Sequence, residues 1–304
     1  MNKTVDIIIP TYRPDEKFEN LIDLLEQQSY PINHIIVINT EQKLFSSKNI
    51  DNYNNIIVEH IREKDFDHGG TRDSAALKSD ADIIVFMTQD AIPDNEYLIE
   101  NLIKGFESND IGATYARQLP RENCGEIERF TRSFNYPNKS SVKSQTDINT
   151  LGIKTYFCSN VCAAYQKELY VSLGGFIKHT IFNEDMIFAG RIIKSGMKIA
   201  YCANARVIHS HNYTNLQQLR RNFDLAVSQK DNPDVFDGIK SEGEGIKLVI
   251  QTAKHCCRIG KPWLVFELVM KSGFKYIGYK LGLAYYKLPS WLIKKLTMNK
   301  EYWK

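Results

Sequence analysis

Four polar clusters in this 304-residue chain carry residue types able to do chemistry. The first is Asp67-His68-Gly69-Gly70-Thr71-Arg72-Asp73, where a Gly-Gly pair at a helix start permits backbone approach to a phosphate and Arg72 could pair with it. The second is Thr88-Gln89-Asp90, a polar turn with a single carboxylate. The third is Glu184-Asp185, two adjacent acids in a helix first turn, where the dipole keeps carboxylates ionised and suits a general base. The fourth is His209 with His211, whose strand spacing puts both imidazoles on one side, as a metal ion needs. Each has a plainer alternative: a Gly-Gly turn without ligand, an Asp stabilising its own turn, acids that only cap a helix, and two edge-strand histidines.

Chemistry from these clusters requires elements that bring them together. Ile83 to Met87 is a run of five apolar residues and reads as a strand buried on both faces, with Pro93 closing the turn after it. Asp90 then stands at the carboxyl end of a strand, where α/β sheets hold their ligands. Strands are also expected at Val5 to Pro10, His34 to Ile38, Ile56 to Ile61, Ile111 to Tyr115, Thr155 to Tyr165, Lys198 to Cys202 and Arg206 to Ile208. Phe18, Leu21, Ile22, Leu24 and Leu25 fall at helical spacing, and further helices are expected near Thr71 to Lys78 and Tyr97 to Phe106. Another is expected from Asn183, a good N-cap, to Gly196, which can terminate it. The alternation predicts an α/β fold with a mostly parallel sheet flanked by helices. Residues 120 to 151 are polar with few apolar runs, which predicts a lid or binding loop, or a partly disordered stretch.

Apolar content of 43% is ordinary, and the net charge of +3 hides an asymmetry. From Ile246 onward there are twelve Lys and Arg against two Glu, so this segment is strongly basic and the preceding 245 residues are acidic on balance. The basic residues alternate with Trp263, Phe266, Phe274, Tyr276, Tyr279, Tyr285, Tyr286, Trp291 and Trp303. Two amphipathic helices, about 246–258 and 263–287, would suit the interface of an anionic bilayer, or would pack on the rest of the chain or on another subunit. No nucleic-acid motif accompanies the charge. The six cysteines lack CxxC spacing and read as free thiols in a reducing compartment rather than as a zinc site. The N-terminus runs into a strand with no signal-peptide core, and no apolar run reaches the roughly 18 residues of a spanning helix.

The order of the clusters resembles the family 2 glycosyltransferases, which have the GT-A fold. The likeness is carried by Ile7-Ile8-Ile9-Pro10-Thr11-Tyr12, the Asp67-to-Asp73 turn, Phe86-Met87-Thr88-Gln89-Asp90, Gly174-Gly175-Phe176, and Asn183-Glu184-Asp185 with Arg191, over about residues 4 to 215. Within the family the chain is similar to bacterial rhamnosyltransferases that use dTDP-rhamnose, through Asp67 to Asp73, Thr88-Gln89-Asp90-Ala91, Arg117-Gln118-Leu119-Pro120 and Arg132-Ser133-Phe134-Asn135-Tyr136-Pro137.

The resemblance implies roles position by position. Thr11, Tyr12, Arg13, Asn39 and Glu41 would line the nucleoside pocket, and Gly70, Arg72, Asp73 and Gln89 would complete the nucleotide-sugar site. Asp90 would bind Mg²⁺ or Mn²⁺, with His209 as a further ligand. The family's Asp-x-Asp motif begins with Thr88 here, which shifts weight onto Asp90, His209 and water. Asp185 would be the base of an inverting transfer, with Glu184 its neighbour. A catalytic domain over 1–228, a linker over 229–245 and the basic helical region over 246–304 are expected, with the protein cytoplasmic and peripheral at the inner face of the cell membrane. The expected partners are a nucleotide sugar (dTDP-rhamnose), a glycan or lipid-linked acceptor, the inner face of an anionic membrane through 246–304, and further copies of the chain in a homo-oligomer, with no nucleic acid. A non-catalytic nucleotide-sugar-binding module and a transferase for another nucleotide sugar stay open as alternatives.

Overall fold

Short β-branched and aliphatic runs bounded by polar turns become the strands of the first of two compact units, residues Met1–Leu119, Tyr136–His179 and Glu184–His209. The computed structural model describes residues 3–46, 50–239 and 242–304. The strands are β1 (Val5–Tyr12), β2 (His34–Thr40), β3 (Ile56–Ile61), β4 (Ile83–Met87), β5 (Ile92–Pro93), β6 (Ile111–Leu119), β7 (Ser141–Lys143), β8 (Cys162–Gln166) and β9 (Lys198–Ile208). They form one sheet in the order β3-β2-β1-β4-β8-β6-β9-β5, with β7 also paired to β9. β3, β2, β1 and β4 are mutually parallel, as is β6 with β9. β8 runs antiparallel to both β4 and β6, and β5 and β7 run antiparallel to β9. Two reversals in succession leave β6 and β9 pointing the same way as β4. The carboxyl ends of β1, β2, β3, β4, β6 and β9 therefore share one edge, and the start of β8 joins them there.

All five residues of β4 are fully buried, as a central strand covered on both faces must be. The helices of this unit are α1 (Glu16–Glu26), α2 (His68–Lys78), α3 (Leu98–Lys104), the short α5 (Ile148–Leu151), α6 (Lys167–Ser172) and α7 (Glu184–Lys194). α1 buries Phe18, Leu21, Ile22 and Leu25, the helical stripe of the sequence. The strand expected over Thr155 to Tyr165 is confined to its second half. Gly152–Tyr156 forms a 3₁₀ turn, and pairing with β4 begins only at Cys162. The stretch 120–151 is likewise structured, holding α4 (Glu126–Asn135), β7 and α5. Ile127, Phe130 and Phe134 lie three and four residues apart, a helical repeat that the surrounding charges masked.

The second unit comprises Pro120–Asn135, Thr180–Asn183 and Ser210–Lys304. It contains α4, α8 (Asn215–Asp231), α9 (Pro233–Phe236), α10 (Glu242–Arg258), α11 (Leu264–Leu283) and α12 (Ser290–Leu296). A capping box starts α8: Thr214 Oγ1 accepts from Gln217 N at 3.3 Å and Gln217 Oε1 accepts from Thr214 N at 2.9 Å. α11 packs against α8 through Gly278, where a Cβ would lie 2.1 Å from Leu219 O, so only glycine permits the approach. Phe223, Val227, Ile181 and Ile293 form its core with Tyr285, Leu288 and Trp303 packed around them. Among the described residues no helix is long and apolar enough to cross a membrane.

Candidate active site

The shared strand edge collects the clusters singled out in the sequence. α2 follows β3 and starts at that edge, and α7 precedes β9 and starts there too. Asp67 caps α2 by accepting from Gly70 N at 2.5 Å. Gly69 sits against the 174–179 turn, where a Cβ would lie 1.9 Å from Ile177 O. Arg72, one turn on, donates from Nη1 to His68 O at 2.9 Å and lies 3.3 Å from Glu184 Oε1. Both members of that ion pair are buried. Arg72 Nε is buried with no hydrogen-bond partner, a donor placed for an oxygen that the protein does not supply. Asp73 is differently employed: it accepts from Tyr170 OH at 2.9 Å and packs where a Cβ on Gly175 would reach it at 2.1 Å.

Adjacent in sequence, Glu184 and Asp185 meet different surroundings. Burial by itself would raise Glu184, but Arg72 and His68 outweigh it and hold the carboxyl below the usual range. Asp185 is only half-buried. Burial first, and the Glu184 charge second, raise it to about 7, against the pull of two backbone N–H groups. Those donors are Asn160 N at 3.1 Å and Met186 N at 2.8 Å. The Asn160 side chain turns the other way, donating to Glu184 Oε1 at 3.4 Å and accepting from Tyr165 OH at 2.9 Å. One residue just ahead of β8 thus holds both acids. Sequence reading passed over it, although Ser159-Asn160 is a polar pair inside an apolar run.

At the ends of β1 and β2, Thr11 Oγ1 donates to Asn39 Oδ1 at 3.4 Å, and Asn39 Nδ2 donates to Glu41 O at 3.2 Å. Glu41 takes a positive φ of 65° and its carboxylate accepts from Glu63 N at 2.8 Å, which turns the chain after β2. Tyr12 N donates to Gln89 Oε1 at 2.7 Å while Gln89 Nε2 donates to Tyr12 O at 3.2 Å. Gln89 therefore clamps the end of β1 to the turn after β4. Tyr12 itself is exposed, with the Arg13 guanidinium 5.1 Å from its ring centre.

Asp90 lies in that same turn, with its Oδ1 3.5 Å from His209 Nε2 at the end of β9. The other ring nitrogen, Nδ1, is 3.1 Å from Gln118 Oε1, an atom that can only accept. Nδ1 therefore donates to Gln118, and Nε2 faces the Asp90 carboxylate, as an ion pair when the ring is protonated and as a second acceptor when it is neutral. Two acceptors set face to face fit a shared cation, and an imidazole oriented through its second nitrogen is the usual arrangement of a metal ligand. His211 follows two residues later, and one ligand atom from each of Asp90, His209 and His211 lies within 4.8 Å of the others. Thr88 Oγ1 is buried without a hydrogen-bond partner, so the position occupied by the family's first acid supplies no ligand charge here. Gln118 is the second residue that sequence reading left without a role; its signal was a buried polar side chain next to Arg117, one step before the end of β6.

The sequence profile described as "Glycosyl transferase family 2" matches residues 6–174. The chain is 39% identical over 303 residues to the O-antigen chain rhamnosyltransferase RfbN of Salmonella typhimurium, covering 98% of this chain and 96% of that protein. The chain belongs to glycosyl transferase family 2. The family 2 enzyme is also 37% identical to the O-antigen chain rhamnosyltransferase WbaN of Salmonella anatum, over 98% of its own length and 95% of that protein's. Among solved structures, its fold is similar to the mannosyltransferase PcManGT of Pyrobaculum calidifontis, solved in complex with GDP-Man and Mn²⁺. That likeness has a TM-score of 0.58 at 15% identity, over 100% of this chain and 85% of the other. TarS 1–349 of S. aureus, solved with UDP-GlcNAc, aligns with a TM-score of 0.51 at 12% identity, over 93% and 91% of the two chains. The fold is thus that of the GT-A glycosyltransferases, and the chain is a glycosyltransferase.

Proposed function

We propose that the enzyme transfers L-rhamnose from dTDP-rhamnose, with inversion, to a glycan or lipid-linked acceptor of a bacterial surface polysaccharide. The observation that carries the mechanism is Asp185, a half-buried carboxylate raised to about 7 and fixed by two backbone N–H groups. A base of that proton affinity is matched to working pH, and it takes the proton from the acceptor hydroxyl as that oxygen attacks the anomeric carbon. Glu184, held ionised by Arg72, keeps the guanidinium in place and leaves its Nε for a diphosphate oxygen. Thr11, Tyr12, Arg13, Asn39 and Glu41 sit at the strand ends where the nucleoside belongs, and Gly70 lets the diphosphate approach the start of α2. Asp73 and Gln89 support this lining from behind, through Tyr170 and through Tyr12.

Asp90, His209 and His211 are the residues that would hold Mg²⁺ or Mn²⁺, which supplies charge stabilisation for the departing nucleotide diphosphate. The near-full-length identity to two O-antigen rhamnosyltransferases supports the rhamnosyl donor. For the basic region, exposed Trp263, Phe266, Val269, Met270, Tyr276 and Ile277 on and before α11 support attachment to the inner face of an anionic membrane. The deciding experiment is a thermal-shift screen of nucleotide sugars with and without Mn²⁺. The reading expects the largest shift with dTDP-rhamnose in the presence of metal. A larger shift with another nucleotide sugar would replace the donor, and no shift with any of them would overturn the site. Flotation of a Trp263→Ser, Phe266→Ser variant on vesicles containing phosphatidylglycerol tests the membrane face, with loss of flotation expected.

A further inference from the structure

The turn that leads into β8 touches both proposed working parts of the first unit. Ser159 O accepts from Cys162 N at 3.1 Å, closing the turn just where pairing with β4 begins. On one side Asn160 N donates to Asp185 Oδ2 at 3.1 Å. On the other, Thr88 N, two residues ahead of Asp90, donates to Val161 O at 3.2 Å. A side-chain arm reaches the second proposed ligand: Gln118 Nε2 donates to Ser159 Oγ at 3.1 Å, and Gln118 Oε1 accepts from His209 Nδ1 at 3.1 Å. His209 Nε2 in turn lies 3.5 Å from Asp90 Oδ1. Residues 159–162 are thus bonded to the proposed base, to the turn that carries Asp90 and, through one amide, to His209.

The arm has a fixed polarity. Gln118, Asn160 and His209 are only 3%, 3% and 5% exposed, so water is a poor substitute for a lost partner. An amide accepts at its oxygen and donates at its nitrogen, so Gln118 presents the right atom to the imidazole only while Ser159 holds the other end. The converse also holds. A shift of His209 moves the amide, and the amide is bonded to the residue whose peptide link continues into Asn160. Asn160 cannot absorb that shift by swinging away, because its side chain accepts from Tyr165 OH at 2.9 Å and donates to Glu184 Oε1 at 3.4 Å. We propose that Ser159 and Gln118 are positioning residues that couple cation binding at Asp90 and His209 to the placement of Asp185. The coupling rests on the reading of Asp185 as base and of Asp90 and His209 as cation ligands. By linkage it runs both ways: what loosens the turn weakens the cation, and loss of the cation loosens the base.

Two measurements on the full-length enzyme test this: Mn²⁺ affinity followed by electron paramagnetic resonance, and turnover at saturating Mn²⁺. Ser159→Ala, with unchanged melting temperature, should bind Mn²⁺ about three- to ten-fold more weakly, although Ser159 lies outside the ligand set, because the Gln118 amide loses its anchor. Ser159→Thr, which keeps the hydroxyl, should restore the affinity. Adding Ser159→Ala to Gln118→Leu should weaken binding no further, since the serine acts through the amide. Parental affinity in Ser159→Ala, or losses that simply add in the double variant, overturns the arm. At saturating Mn²⁺ both single variants should still lose about three- to ten-fold in kcat with the KM for donor unchanged, because the base is misplaced even with the cation bound. Full recovery of kcat on adding Mn²⁺ would confine both residues to the cation and overturn the coupling. Asp90→Asn and Asp185→Asn are the controls. Parental Mn²⁺ affinity in the first, or parental turnover in the second, means that the site reading has failed and the coupling with it. Losses in both controls beside an unaffected Ser159→Ala sink the coupling alone.

Discussion

Arg72 Nη1 and Glu184 Oε1 lie 3.3 Å apart with both side chains buried, and this pair divides the labour between two neighbouring acids. Glu184 is committed to the arginine; Asp185 keeps a free choice of protonation state. Removing one member of a buried pair strands the other, at a typical cost of about 3–5 kcal/mol. Arg72→Met should therefore lower stability by that order in urea unfolding. Because Glu184 is held below its usual range, its contribution is present above the unfolded value near pH 4 and disappears as pH falls through the lower folded value. The deficit of Arg72→Met relative to the parent should accordingly narrow in strong acid.

Asp185→Asn should abolish transfer, a loss of about 10²–10⁴-fold or more, while dTDP-rhamnose still shifts the melting temperature. The proposed base would act deprotonated, and the Asp185 pKa is raised to about 7 by burial and then by Glu184. In the parent enzyme kcat/KM should thus fall about ten-fold per pH unit below that value. Glu184→Gln removes the second cause and should move this limb to lower pH; a limb that stays put would show that Glu184 does not tune the base. The stability sign is opposite to that of Glu184: the fold favours the protonated acid, so a penalty accumulates from about pH 4 up to the folded value and is absent in Asp185→Asn.

Gln118 orients His209 without touching the proposed metal position, accepting from Nδ1 at 3.1 Å. Loss of such an orienting partner typically weakens metal binding about 10–100-fold. Gln118→Leu should show this in Mn²⁺ titrations followed by electron paramagnetic resonance, and Asp90→Asn should lose more. Equal Mn²⁺ affinity in parent, Gln118→Leu and Asp90→Asn would remove the cation from this place.

How much of this was legible beforehand follows from what each residue depends on. β4 was readable because five apolar residues in a row can only be buried, and the family motifs located Asp90, Arg72, Glu184 and Asp185 along the chain. What the sequence could not reveal was company. Asn160 holds both acids only because β8 runs antiparallel to β4 and brings its first residues to the carboxyl edge of the sheet. Gln118 meets His209 only because β6 and β9 are parallel, despite a register shift between Ala116 and Arg117. Gln89 is a clamp on Tyr12 where a ligand contact was expected from position alone. Helix α4 was hidden by charges that pair along its own surface, such as Arg132 with Glu128.

The two glycines that open α2 separate packing from ligand approach. A Cβ on Gly69 would lie 1.9 Å from Ile177 O, 3.1 Å from its carbonyl carbon and 3.5 Å from Glu184 Cβ, all parts that cannot move aside cheaply. Gly69→Ala should cost about 1–3 kcal/mol or more from overpacking, with donor binding lost in step as the Arg72–Glu184 pair is pushed apart. A Cβ on Gly70 meets only Asp67 Oδ1 at 3.0 Å, the far end of a side chain that can give. Alanine there also gains about 1 kcal/mol of helix propensity, which offsets a weakened cap of similar size. Gly70→Ala should therefore keep its melting temperature and yet bind dTDP less well, because the added methyl stands where a diphosphate would approach the helix start. Unchanged dTDP affinity in a well-folded Gly70→Ala enzyme would place the diphosphate elsewhere along the sheet edge.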